Sequence, residues 1–329
     1  MAGMSEQTTS CIVPGLYRIP TPTPFPVGAA NVYLYKGGDC LTLFDAGTKT
    51  EAAWGVLTCR LRELGVEPSD IDRIILTHHH LDHLGLSRRI RDVSSATVIA
   101  HPDVPTQIPY MFDESSAHVH LDALMRELGV PADVAEKVIA LRQQHRELLD
   151  DFVVDEPIAD NGRVGNFTAH FRPGHSSTDT VFVHSDERWA LTGDHLIRNV
   201  TPNPILRRRS ESGLREQSLV QYCNALRETR TLEMDWCFAG HGSPFQDHRA
   251  VVDATLRHIE RRGAKVLAAT PAEGATPYQI TKALFRRLSE PNLYYCLSAA
   301  TGHLELLATQ DMLKSEYRKD VLFYLPIRT

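Results

Sequence analysis

The chain has 329 residues, 42% hydrophobic and 23% charged, with a formal net charge of −6. That length and apolar content fit one large folded domain plus a smaller one and exclude general disorder. The mild acidity argues against binding nucleic acid by bulk electrostatics. In chain order, residues 14–26 (PGLYRIPTPTPFP) are too proline-rich for a helix and read as an extended lead-in with edge character. NVYLYKGGDCLTLFDAG follows as two strands joined by a Gly-Gly-Asp turn, with Val32, Leu34, Leu41 and Leu43 at the alternating apolar positions. TEAAWGVLTCRLRELGV is helical, with Ala53, Val56, Leu57, Leu61 and Leu64 on one face and Gly65 as its stop. RIILT is a short buried strand, LDHLGLSRRIRDV a helix and ATVIAH a strand. The alternation predicts α/β layering.

Residues 102–152 break that pattern. SSAHVHLDALMRELGV and PADVAEKVIALRQQHRELL read as helices with no accompanying strand, the second opened by Pro131. They form a predicted helical insertion, with Tyr110, Met111, Phe112, Leu121, Leu124 and Met125 as a candidate apolar lining for a cleft. Strand signals resume from residue 162, SLVQYCNALRETR is a helix, and DWCFAGHG is a strand ending at a glycine-flanked histidine. The expected domain limits are 1–256 and 257–329. The tail holds 11 Lys and Arg against 7 Asp and Glu, and its helix, helix, hairpin order resembles a small winged-helix module.

The six cysteines (Cys11, Cys40, Cys59, Cys223, Cys237, Cys296) form no CxxC pair, which predicts reduced thiols, with Cys223 and Cys237 in the core. The opening MAGMSEQTTS lacks a basic segment followed by an apolar one, and no run of about 18 apolar residues occurs. A cytoplasmic protein with no membrane segment is expected.

The chemistry concentrates in RIILTHHHLDH. On extended backbone alternate side chains share a direction, so His78 and His80 converge while His79 points elsewhere. Asp82 and His83 follow at a helix start and can turn toward a second point. Imidazole and carboxylate donors at this spacing suit zinc, iron or manganese. Further along come His175 in RPGHSS, Asp194 in LTGDH and His241 in AGHGSP, each at a strand end beside Gly174, Gly193, Gly240 or Gly242, which permit tight turns. Asp45 in LFDAG is another strand-end acid.

Taken in order, Asp45, His78-x-His80-x-Asp82-His83, His175, Asp194 and His241 resemble the motifs of the metallo-β-lactamase superfamily, over roughly residues 15–250. The resemblance implies an αββα sandwich with metals at one edge of two packed sheets. It assigns His78, His80 and His175 to one metal, Asp82, His83 and His241 to a second, and Asp194 to both. It implies two divalent ions, zinc foremost, that activate a shared water, with Asp82 and Asp194 as the catalytic carboxylates. Asp45 is expected to hold a ligand or the loop backbone, and His195 to sit beside the ligands, to face substrate or to serve a structural role. Asp82 steers the resemblance away from β-lactam hydrolysis toward glyoxalase II-like, lactonase, thioesterase and nuclease branches.

The expected substrate is therefore a small ester, thioester or lactone. Arg207, Arg208 and Arg209 are either a solvated face or a counter-charge for an anion such as a coenzyme A phosphate. Two alternatives stay open: a nucleic-acid-processing hydrolase such as an endoribonuclease, and a mononuclear iron persulfide dioxygenase. The tail is expected to pack structurally or to mediate a homodimer. His101, His118, His120 and His145 are expected in surface or packing roles, and residues 197–206 beside the cleft.

Overall fold

The computed structural model describes residues 12–112, 116–207 and 215–327. Its first half runs β1 (Leu16–Thr21), β2 (Ala30–Tyr35), β3 (Thr42–Phe44), α1 (Glu51–Glu63), β4 (Arg73–Ile75), α2 (Leu81–Leu84), α3 (Ser87–Ser94) and β5 (Thr97–Ala100). Three helices follow, α4 (Val104–Phe112), α5 (Ser116–Glu127) and α6 (Ala132–Gln143), and then β6 (Glu156–Pro157). The second half has β7 (Arg163–Val164), β8 (Phe167–Phe171), β9 (Thr180–His184), β10 (Trp189–Gly193), α7 (Ser218–Thr229) and β11 (Trp236–Ala239). The chain ends with α8 (His248–Ala269), α9 (Pro277–Leu284), α10 (Glu290–Thr309), β12 (Leu313–Arg318) and β13 (Val321–Pro326).

One sheet has the order β1-β2-β3-β4-β5-β6 and the other β11-β10-β9-β8-β7. The proline-rich β1 lies at an edge, where missing N–H groups are tolerated. Strand alternation explains the layering. Val32, Leu34, Leu43, Ile74 and Val98 join Ala53, Leu57 and Leu61 of α1 in one cluster, on the helix side of the first sheet. Their neighbours Tyr33, Tyr35, Phe44, Ile75 and Ile99 point the other way, onto Phe167, Phe182, Trp189 and Phe238 of the second sheet. Val181, Ala190 and Cys237 then face Leu219, Tyr222 and Leu226 of α7. The result is the expected αββα sandwich. Cys223 and Cys237 are buried in it, and the five cysteines among the described residues are free thiols.

The insertion and the tail meet in a fourth cluster. Met125, Leu128 and Val138 of the insertion pack with Leu293, Leu297 and Leu304 of α10 and with Leu313 and Tyr324 of the β12–β13 hairpin. Residue 257, the expected domain limit, lies within α8, a continuous helix of 22 residues. Val252 and Ile259 of α8 pack on the sandwich, whereas Val266 packs in the fourth cluster. Met125, expected in the cleft lining, is instead fully buried here, because one residue along a helix turns the side chain by about 100° from Leu124. The side chains of Tyr110, Met111, Phe112 and His118, and all of Arg208 and Arg209, lie outside the described residues.

A buried ionic group fastens this junction. Arg215 Nη2 lies 2.6 Å from Glu305 Oε1 on α10, and its Nη1 lies 3.3 Å from Glu127 Oε1 at the end of α5. Tyr317 of β12 donates to the same Glu127 oxygen at 2.8 Å. Removing one member of a buried pair leaves the other charge without compensation. Arg215→Ala should therefore cost on the order of 3–5 kcal/mol, read as a lower urea midpoint. An unchanged midpoint would show that the cluster does not fasten the junction.

Candidate metal centre

The loops at one edge of the sandwich carry every predicted ligand. His78 and His80 follow β4, with His80 as the residue before α2. Asp82 and His83 lie on α2 itself, a single turn of helix. His175 lies between β8 and β9, Asp194 directly after β10, and His241 beyond β11. All are buried or nearly so.

Two donor triads result, His78 with His80 and His175, and Asp82 with His83 and His241; His78, His83 and Asp194 form a third group linking them. His80 Nδ1 lies 3.1 Å from His78 Nε2 and 2.8 Å from His175 Nε2. His241 Nε2 lies 3.3 Å from both Asp82 Oδ2 and Asp194 Oδ2, and His175 Nε2 lies 3.6 Å from that same Asp194 oxygen. His83 Nε2 is 3.6 Å from Asp194 Oδ1 and 3.8 Å from Asp82 Oδ2. Asp194 therefore borders both triads.

The far nitrogens of these rings are tethered, as the rings of metal-ligating histidines usually are. His83 Nδ1 donates to Asp45 Oδ2 at 2.8 Å. His241 Nδ1 donates to the carbonyl of Ala29 at 2.8 Å, and His175 Nδ1 to that of Asn203 at 3.0 Å. His78 Nδ1 is 3.0 Å from Thr77 Oγ1, whose own proton goes to Asp45 Oδ2 at 2.9 Å. With protons fixed on the Nδ1 atoms of His83, His175 and His241, their Nε2 atoms face inward. His83 Nε2, His241 Nε2 and Asp194 Oδ1 are buried with no hydrogen-bond partner. Orphaned donor and acceptor atoms converging in this way fit a cation, and a donor set of imidazoles and carboxylates suits zinc, iron or manganese.

Electrostatics divide the site. Burial, reinforced by neighbouring imidazoles, depresses His78 and His80 well below the ordinary histidine range and keeps them neutral. Burial also works against charge on His83 and His241, but Asp82, Asp194 and, for His83, Asp45 outweigh it. His83 is pushed up to about 9 and His241 to about 11. Burial likewise opposes ionisation of Asp82 and Asp194, yet the His83 and His241 charges hold both below the usual carboxylate range.

Asp45 hydrogen-bonds both His83 Nδ1 and the Thr77 backbone N–H. His195 does not sit beside the ligands. Its Nε2 pairs with Thr229 Oγ1 of α7 at 2.8 Å and its ring packs edge-on against Tyr222. Both residues lie in the turn after β10, where Asp194 enters the site and His195 the helix layer. His79 bonds Thr178 Oγ1 at 2.8 Å and belongs to neither triad. A cleft of about 560 Å³ opens over the triads, lined by Phe25, Val27, Leu121, Leu124, Ile197 and Tyr294 among others. The loop 197–206 borders it as expected, and so do His120 and His145, for which surface or packing roles were expected.

Two residues not singled out from the sequence, Asp179 and Asn31, hold the ligand loops. Asp179 takes Ser176 N at 2.8 Å and Ser176 Oγ at 2.7 Å, which shapes the loop carrying His175. Asn31 Nδ2 reaches the carbonyls of Ala239 and Gly242 and so fixes the His241 turn. The polar run SSTDT carried a signal for the first; Asn31, inside a strand, carried none.

The close approach of Gly240 to the ligands has a measurable consequence. A Cβ at Gly240 would lie 2.3 Å from Asp194 Oδ1 and 2.7 Å from His83 Cε1. Gly240→Ala should weaken metal retention at least about 10-fold, as when ligand supports are lost, measured by competition with a chelator. Retention equal to wild type would overturn this packing argument. The raised histidines have another. At neutral pH His83 and His241 lie below their raised pKa values and hold protons, whereas a ligand imidazole must be neutral. Cation loading should therefore release protons, seen as a calorimetric enthalpy that varies with the buffer's ionisation enthalpy. A buffer-independent enthalpy would contradict the assignment.

Comparison with known proteins agrees with this geometry. The family model described as the metallo-beta-lactamase superfamily matches residues 25–268. Over 316 residues the chain is 31% identical to the "Probable metallo-hydrolase YqjP" of Bacillus subtilis (strain 168), covering 93% of this chain and 96% of that protein. The crystal structure of metallo-beta-lactamase family protein TTHA1429 from Thermus thermophilus matches with a TM-score of 0.82 at 27% identity, covering 96% of this chain and 100% of that one. A beta-lactamase domain protein from Burkholderia ambifaria, at 19% identity, shares the fold with a TM-score of 0.81 over 98% of this chain and 95% of its own. With the family model covering every ligand position and all strands of the two sheets except the edge strand β1, the chain belongs to the metallo-β-lactamase superfamily.

Proposed function

We propose that this superfamily member is a two-cation hydrolase of small esters, thioesters or lactones. The observation that carries the reading is the meeting of two donor triads at Asp194, at the floor of an apolar cleft. Bound cations supply Lewis-acid polarisation of a substrate oxygen and activation of water, so no serine or cysteine nucleophile is needed. His78, His80 and His175 would hold one cation, zinc foremost, and Asp82, His83 and His241 the other. Asp82 lines the cleft and is ionised, which suits it to orient an attacking water. Asp194 stays ionised between the triads. The mainly apolar walls match a hydrophobic acyl portion.

The completeness of the second triad favours this reading over a mononuclear iron dioxygenase. The tail, whose helix–hairpin order resembles a winged helix, shares a core with the insertion and sends Asn292, Tyr294 and Tyr295 of α10 to the cleft. That supports a packing role over nucleic-acid capture. Among the described residues no helix is long and apolar enough to cross a membrane.

The test combines metal analysis with a substrate panel of acyl thioesters, aryl esters, lactones and structured RNA. Close to two metals per chain and chelator-sensitive turnover of an acyl compound are expected. Asp194→Ala and His80→Ala should lower that turnover at least about 100-fold, since outer partners alone are worth about 10–100-fold. Circular dichroism of both variants should stay that of a folded protein. Chelator-sensitive RNA cleavage without acyl hydrolysis, or one tightly held iron per chain, would sink the reading.

A further inference from the structure

The upper wall of the cleft carries two cationic side chains that the metal chemistry does not use. Arg142 on α6 and Arg207 at the end of the 197–207 loop both line it. Arg142 lies over the Tyr294 ring, its guanidinium carbon 4.1 Å from the ring centroid. Among the described residues no carboxylate pairs with it; it is positioned by the ring instead. Tyr294 in turn donates its hydroxyl to the carbonyl of Leu206 at 2.8 Å, which brings the Arg142 stack against the residue preceding Arg207.

Arg207 is held from behind. Its Nη1 is bound by Glu216 and by Gln221 Oε1 at 2.8 Å, while its Nη2 is buried with no partner. A guanidinium has five donors in a fixed fork, and a buried donor left unpaired is costly. Both groups line the same cleft as His79 and His80. Around this wall the lining is otherwise mainly apolar: Leu121, Leu124, Ile205 and Leu206. Among the described residues of this apolar wall, two cations face one partnering carboxylate, that of Glu216, which makes a field that favours an anion.

We propose that Arg142 and Arg207 form a subsite for an anionic group, a carboxylate or a phosphate, carried by the substrate at the end remote from its scissile carbonyl. This rests on the acyl-hydrolase reading and narrows its substrate class to acyl compounds with a negatively charged tail. Arg142 is the specificity-determining contact, and Arg207, braced by Glu216 and Gln221, presents the second charge.

The test has a binding arm and a kinetic arm, both on metal-loaded full-length protein. Calorimetric titration with glutarate and with phenyl phosphate separates the two anion sources. At least one should bind, and Arg142→Gln should weaken that binding on the order of 10- to 100-fold, with Arg142→Lys recovering part of it. Arg207→Gln should weaken it as well, and circular dichroism checks that variant's fold. In the kinetic arm, the ratio of kcat/KM for the p-nitrophenyl monoester of glutarate to that for p-nitrophenyl valerate should exceed one and fall by a similar factor in Arg142→Gln.

Equal anion affinity in wild type and Arg142→Gln would place the anion on the metals and overturn the subsite. So would absence of binding by both probes, or a kinetic ratio that the substitution leaves unchanged. If neither ester is turned over by wild type while the binding difference holds, the subsite stands and the acyl-hydrolase reading falls.

Discussion

The carboxylate of Asp45 is the constraint on which the metal centre depends. It sits at the end of β3 with φ of +58°, a left-handed backbone that aspartate tolerates better than most residues. From there Oδ1 takes the Thr77 N–H at 2.8 Å and Oδ2 takes both the Thr77 hydroxyl and His83 Nδ1. Thr77 passes the restraint to His78. One buried acid thus sets the ring of His83 in the second triad and, through a hydroxyl, the ring of His78 in the first. The parallel pairing of β3 with β4 makes this geometry available, since it places Phe44 opposite Ile75 and carries both chains out of the sheet at the same edge.

The second sheet repeats the logic with backbone groups. β10 and β11 are also parallel, and they release Asp194 and His241 at the edge where β3 and β4 end. Gly193 and Gly240 let the two strand ends approach: Gly240 N donates to Gly193 O at 2.8 Å, and Gly193 adopts φ of +49° against Thr77. Ala29 and Asn203 then tether His241 and His175 through carbonyls. The edge-to-face packing of Phe44 on Phe182 sets the separation of the two sheets, and hence that of the two sets of ligand loops. Core packing and ligand geometry are in this sense one problem.

How much of this the sequence revealed depends on the kind of signal each part leaves. The ligands were legible because His78, His80, Asp82 and His83 crowd one strand end and the remaining three each sit beside a glycine. The sandwich was legible because strand alternation puts two different apolar sets on the two faces of each sheet. α8 was not, because its buried stripe runs through Val252, Thr255, Ile259, Gly263 and Val266, where a polar residue and a glycine interrupt the apolar pattern. The shared core of insertion and tail was hidden because its halves lie far apart in the chain, and neither half names its partner. The direction of His195 was not legible, because adjacency to Asp194 in sequence says nothing about direction once the strand has ended. The carbonyls of Ala29 and Asn203 leave no trace, since every residue has one.

The buried charges of the centre also explain why so much rigid structure surrounds it. Asp45, Asp82 and Asp194 are withdrawn from water together with His78, His83 and His241, and burial disfavours the charged form of such groups. Without a cation the compensation is protons on His83 and His241, held in contacts of 3.3 to 3.8 Å that are too long to be good hydrogen bonds. Such a set cannot relax by repacking, because the rings are fixed at their far nitrogens and the loops at their glycines. The arrangement is stabilised by the surrounding sandwich rather than by its own contacts. That is the condition for a preorganised site: the cost of gathering the donors is met on folding, so that binding energy from a cation need not be spent on rearranging the protein.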